Sequence, residues 1–82
     1  MNNPDATNIF TARDIVPVTP SDTVDLDISA RSLRFAGGGT LRITTASGAV
    51  RNTTVIDAEI LPVQVTRVHA TGTTATGIEA LI

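Results

Sequence analysis

Apolar and polar residues alternate one for one from Leu61 to Thr66. Leu61, Val63 and Val65 share one side of an extended chain, and Pro62, Gln64 and Thr66 the other. That spacing becomes a continuous apolar stripe only in a β-strand with one buried face. Residues 59–70 are therefore expected to form the core strand around which the chain is organised. Beyond Val65 the phase slips, because Val68 and Ala70, the next apolar residues, sit on even numbers. One extra residue near Thr66 and Arg67 accounts for the slip and predicts a β-bulge or a sharp local twist. A glycine-flanked threonine loop, residues 71–77, then returns the chain as a closing strand over residues 78–82. Its apolar edge has to be covered, since open edges invite further pairing.

The chain ahead of this unit reads as more short strands. Residues 13–20 carry Pro17 and Pro20, which cannot donate to a ladder, so the segment belongs at an edge or runs extended. Residues 23–28 alternate Val24, Leu26 and Ile28 with Thr23, Asp25 and Asp27 and predict the first clear strand. A turn at residues 29–31 leads to a second strand with Leu33 and Phe35 inward. Gly37, Gly38 and Gly39 supply a tight connection to a third strand with Leu41 and Ile43 inward. A turn at residues 46–48 precedes a fourth strand, residues 49–55, rich in β-branched side chains. Short strands spaced by about ten residues, with glycine turns and no helical stripe, predict an all-β fold. The expected architecture is a small antiparallel β-sandwich, jelly-roll-like, with about six to eight strands. Residues 1–12 are polar and turn-rich, and are expected to form an extended N-terminal arm ahead of a single domain, residues 13–82.

At 82 residues the chain sits near the size below which one hydrophobic core seldom suffices. Phe10 and Phe35 are the only aromatics, and there is no cysteine, so the core must be aliphatic and unstapled. Small domains of this kind usually gain the missing stability by oligomerising. The lack of cysteine also excludes thiol chemistry and thiolate zinc sites. A net charge of −2 argues against a nucleic-acid partner, which selects for a basic face. All the basic residues are arginine, the side chain suited to protein interfaces, although a genome biased towards arginine codons explains the same usage. No apolar run approaches the roughly 18 to 20 residues of a membrane span, and the N-terminus lacks a signal-peptide pattern. The expectation is a soluble protein made in the cytoplasm, without membrane association.

No residue constellation commits the chain to chemistry. Asp22, Asp25 and Asp27 could share a hard cation, but a calcium site needs six to eight oxygens from an irregular loop. A solvated or arginine-paired face is the simpler reading. His69 is the only histidine and lacks the companions of a metal site or a triad, so it is read as a polar residue at a strand end or subunit contact. Neither glycine cluster is followed by a phosphate-binding signature or a helix. Arg31, Arg34 and Arg42 are expected to form a stripe facing the acidic first strand, each cross-strand pair contributing about 0.2 to 1 kcal/mol. No catalytic, cofactor-binding or metal residues are assigned, and no enzyme activity is expected.

Three stretches carry a family resemblance: residues 14–26, the Leu-Arg-Ile-Thr-Thr run at 41–45, and above all residues 60–78, Ile60-Leu61-Pro62-Val63-Gln64-Val65-Thr66-Arg67-Val68-His69-Ala70-Thr71-Gly72-Thr73-Thr74-Ala75-Thr76-Gly77-Ile78. In these the chain resembles the small spike base proteins of tailed phages and gene transfer agents. The closing residues 79–82 lack the aromatic end of some relatives. The resemblance implies a β-rich virion protein that forms a ring at capsid vertices and carries a spike or fibre. It implies a homo-oligomer as well, a pentamer first and a trimer second, with capsid and spike or fibre proteins as partners. The expected location is the capsid surface of a virion assembled in the host cytoplasm. Within the matched segment and closing strand, Arg67, His69, Thr71, Thr73, Thr74, Ile78, Leu81 and Ile82 are the candidate contact residues. The alternative is a non-enzymatic module binding glycans or peptides, against which the scarcity of aromatics counts.

Overall fold

Alternating sequences such as these fold by stacking two half-apolar sheets, and the computed structural model, which describes residues 12–82, does so with seven strands. They are β1 (Ile15–Pro17), β2 (Ser32–Arg34), β3 (Gly39–Thr45), β4 (Val50–Val55), β5 (Ile60–Leu61), β6 (Val65–Val68) and β7 (Glu79–Leu81). One sheet has the order β1-β7-β2-β5 and the other β4-β3-β6, with every pairing antiparallel. The described residues contain no helix, and the all-β sandwich read from the sequence stands. The arm expected at residues 1–12 lies, apart from Ala12, outside the described residues.

The core lies between the sheets. Leu33 and Phe35 on the β2 side face Leu41, Ile43, Val55, Val65 and Val68 from the other sheet, with Ala30, Ala75, Ile78 and Ala80 closing the ends. Phe35, Leu33, Leu41 and Val65 have no solvent exposure at all. The inward assignments of Leu33, Phe35, Leu41 and Ile43 thus follow the alternation. The closing strand is not at an edge: β7 sits between β1 and β2, and Ile82, just past its end, is tied to Asp14 and Arg13 ahead of β1. That is how the apolar C-terminal strand is covered.

The predicted core strand keeps its phase but not its continuity. Pro62 has no amide to donate, and the Val63 N–H donates to the Leu61 carbonyl at 2.9 Å, an i to i+2 turn centred on the proline. The chain bends there and changes sheets, so that β5 belongs to one layer and β6 to the other. Leu61 and Val63 remain half-buried and Val65 is buried. Past Val65 the expected bulge is present. Thr45 pairs with Val65 and Thr44 with Arg67, leaving Thr66 as the extra residue. This returns Val68 to the core.

Three expectations are corrected. Residues 23–28 are not a strand: the Ser21 hydroxyl accepts the N–H groups of Thr23 and Val24, at 3.3 and 3.1 Å, a local turn that competes with ladder formation. The segment runs instead as an irregular strap beside β6, with Ser21 N–H donating to Val68, Leu26 N–H to Thr66, and Ala30 bridging to Val65. Of its supposed inward face only Leu26 packs on the core, while Val24 and Ile28 are 65% and 58% exposed. Second, the glycine connection and the threonine loop do not close hairpins, because β2 and β3, like β6 and β7, lie in opposite sheets. Third, for the same reason Arg34 and Arg42 cannot form a stripe. Arg34 lies 3.8 Å from Glu79 across the β2–β7 ladder, and Arg42 is on β3.

Candidate assembly surface

The candidate contact residues gather where the strap, β6 and the threonine loop meet. Arg67 follows the bulge, half-buried, with its guanidinium turned onto the strap. Nε donates to Asp25 Oδ1 at 2.7 Å, Nη1 to the Asp22 carbonyl at 3.1 Å and Nη2 to the Thr23 carbonyl at 3.4 Å. Asp22 is engaged on its other side. Its carboxylate accepts the Thr71 N–H at 2.9 Å and the Thr71 hydroxyl at 2.7 Å. The Thr71 hydroxyl and amide hold the Asp22 carboxyl below the usual carboxylate value. Two acidic side chains thus pin the strap to β6 and to the start of the loop. Asp25 is arginine-paired and Asp22 hydrogen-bonded, while Asp27 is exposed. Among the described residues no cluster of three or more His, Asp or Glu side chains is arranged to hold a metal ion.

The loop itself is sewn onto β3, beyond the end of β6. Thr74 Oγ1 accepts the Thr40 N–H at 2.9 Å and Thr73 Oγ1 accepts the Arg42 N–H at 3.0 Å. The Thr40 carbonyl takes the N–H groups of both Thr74 and Ala75, and the Thr40 hydroxyl donates to the Gly72 carbonyl at 3.1 Å. Threonine is abundant here because its hydroxyl completes the edge of β3 that β6 leaves unpaired. The glycine run passes underneath. Gly37 exchanges backbone bonds with Thr76 at 3.0 Å, and a Cβ at Gly38 would fall 2.5 Å from the Val55 carbonyl oxygen. Close approach, rather than a turn, is what requires glycine at position 38. His69 is tied to the same strand, with Nε2 2.8 Å from Thr44 Oγ1 and its N–H donating to the Arg42 carbonyl.

Ile78, Leu81 and Ile82 lie apart from this cluster. Ile78 is in the core, Leu81 is half-buried between Ile15 and Ser32, and Ile82 packs partly buried against the core. Nothing in the spacing marks the apolar residues that face solvent, among them Ile56 at 70%, Ile60 at 54% and Ile15 at 50%, together with Val24 and Ile28. Alternation marks which residues share a side, not which side is covered. Val16, Val18, Val24, Leu26, Ile28 and Ile82 line an open cleft of about 360 Å³ between the strap and β1. In chemical terms the surface offers exposed apolar area and the Arg67–Asp25 ion pair.

No protein-family model matches the chain, and no curated protein is similar to it. Among solved structures, the chain is similar to one from the capsid of a native gene transfer agent particle, computed with C5 symmetry. The two are 45% identical with a TM-score of 0.76, over 84% of this chain and 82% of that one.

Proposed function

We propose, from the premise that this chain belongs to the same family as that component of a gene transfer agent capsid particle, that it is a structural virion protein. The 45% identity across most of both chains is the observation that carries the reading. Within it, the chain acts as a head spike base: copies close into a ring at a capsid vertex, bind capsid protein beneath, and carry a spike or fibre above. A ring on a fivefold vertex is a homopentamer built on heterologous contacts that close by rotation. The exposed Val24, Ile28 and Ile56 support burial between subunits, since exposed apolar side chains on a lean domain favour association. Residues 13–82 form the folded subunit in this reading, and residues 1–12 the arm. Similarity to a capsid component supports a non-enzymatic role. Its location is the virion, with assembly in the host cytoplasm.

Purified particles from cells producing the chain with an affinity tag test the role. The proposal expects the chain to co-sediment with particles and to appear at the vertices in an electron cryomicroscopy reconstruction. A chain recovered wholly apart from particles would overturn it.

A further inference from the structure

The two sheets have four edge strands, β1 and β5 in one and β4 and β6 in the other. An open edge is a template for pairing with another chain, and three of these four are closed. On β1 the Ile15 N–H is taken by Asp14 Oδ1 at 2.8 Å, and Pro17 has none to offer. β5 has two residues and runs into Pro62. β6 is covered by the strap, whose Ser21, Leu26 and Ala30 N–H groups donate to it. β4 is left bare. At the start of the β3–β4 ladder the Thr45 N–H donates to the Ala49 carbonyl at 2.9 Å. Antiparallel bonding alternates, so Arg51, Thr53 and Val55 bond to β3, and the N–H and C=O groups of Val50, Asn52 and Thr54 point outward. The far side of β3 agrees, since its Thr40 and Arg42 N–H groups go to the threonine loop. β4 contains no proline, and no described strand pairs with its outer side.

We propose that β4 of one copy pairs with the strap of the next, residues 24–28, so that the three-stranded sheet continues from subunit to subunit. This deepens the ring reading above and rests on it. The strap and β4 lie at opposite edges of one sheet, the strap outside β6 and β4 outside β3. A contact between two different edges is heterologous, the kind that repeats by rotation into a closed ring. The strap has backbone groups free for it. Its Leu26 N–H is taken by Thr66, but the N–H groups of Asp25, Asp27 and Ile28 bond to nothing among the described residues. Charge selects the pairing. β3 and β4 carry Arg42 and Arg51 and no carboxylate, whereas residues 21–29 carry Asp22, Asp25 and Asp27 and no cation. Paired strands lie about 4.8 Å apart, inside the distance of about 8 to 10 Å within which charges still act through physiological salt. Both edges are also flanked by exposed apolar side chains, Val24 and Ile28 on the strap, Val50 and Ile56 beside the β4 edge. Two β4 edges pairing with each other would close as a dimer and set two Arg51 side chains at one seam without a carboxylate on either strand.

Sedimentation velocity of the full-length protein over a dilution series reads this contact, with circular dichroism to check that each variant keeps its strands. Asp27→Arg and Arg51→Glu change side chains that are exposed in the single chain. Each is expected to raise the concentration at which the oligomer dissociates by about tenfold or more, because like charges across an interface are costly. The two changes together should restore association. Asn52→Pro removes an outward N–H that β3 does not use, at an edge position where proline is tolerated, and should dissociate the oligomer while Asn52→Ala does not. An oligomer unchanged in Asp27→Arg, Arg51→Glu and Asn52→Pro overturns this interface and leaves the ring standing. Single variants that weaken association without recovery in the pair overturn the strap as partner. A parent chain that stays monomeric at every concentration overturns the interface and the ring together.

Discussion

Removing the guanidinium of Arg67 should loosen the strap far more than removing the carboxylate it pairs with. Arg67→Met keeps the aliphatic stem and deletes three hydrogen bonds: to Asp25 at 2.7 Å, to the Asp22 carbonyl at 3.1 Å and to the Thr23 carbonyl at 3.4 Å. The Asp25 side chain is 62% exposed, which limits that ion pair to about 0.2 to 1 kcal/mol. Hydrogen bonds from a charged donor contribute about 1.5 to 3 kcal/mol when protected. Here partial exposure reduces that, and at 3.4 Å the Thr23 contact lies beyond the usual range, so the two carbonyl bonds together contribute about 1 to 1.5 kcal/mol. Arg67→Met is thus expected to cost about 1.5 to 2.5 kcal/mol and Asp25→Asn about 0.5. At about 4 to 8 °C per kcal/mol, melting falls by roughly 10 °C for the first and a few degrees for the second. Protein concentration must be held fixed, because association contributes to the melting temperature. The double variant should melt where Arg67→Met does, since Asp25 has then already lost its partner. Equal effects of Arg67→Met and Asp25→Asn would refute the reasoning, by showing that the backbone carbonyls contribute nothing.

Asp22 supplies a pH dependence. Thr71 lowers its folded pKa below the ordinary 3.8, so its contribution is fully present above that value and is lost as pH falls through the lowered one. Asp22→Asn should melt lower than the parent at neutral pH, with the gap closing in acid. Melting curves taken down through the carboxylate range read it directly. Gly38→Ala would push a Cβ to 2.5 Å from the Val55 carbonyl oxygen and 2.7 Å from Ile56 Cα, both backbone. Such overpacking should cost about 1 to 3 kcal/mol in urea unfolding. Phe35→Ala removes the only aromatic of the described core, with an expected loss of about 3 to 5 kcal/mol. A domain of this size holds roughly 4 to 12 kcal/mol in total, so little soluble, folded protein should be recovered.

How far these residues announce their positions depends on what each signal measures. Alternation reports shared sides, which is why Leu33, Phe35, Leu41, Ile43 and Val65 were legible as core, and why the phase slip placed a bulge near Thr66 and Arg67. It is silent on continuity. Pro62 marked a missing donor, but that the bend sends the chain into the other sheet depends on where β2 and β3 lie. In the strap the apolar spacing misled, because Ser21 holds a local turn and the carboxylates of Asp22 and Asp25 bond to Thr71 and Arg67, groups more than 40 residues away in sequence. The roles of Thr73 and Thr74 as fasteners of β3 were hidden for a related reason: a hydroxyl's partner is set by tertiary approach. The exposed Ile15, Ile56 and Ile60 look in sequence like any other strand residue.

The proposal that copies of this chain complete one another is tested by native mass spectrometry of the full-length protein at micromolar concentration, with sedimentation velocity on the same sample. A single discrete oligomer is predicted, five copies for a vertex ring, with very little monomer and a melting temperature that falls on dilution. One species at the mass of a lone chain, melting cooperatively at a temperature indifferent to dilution, would contradict it.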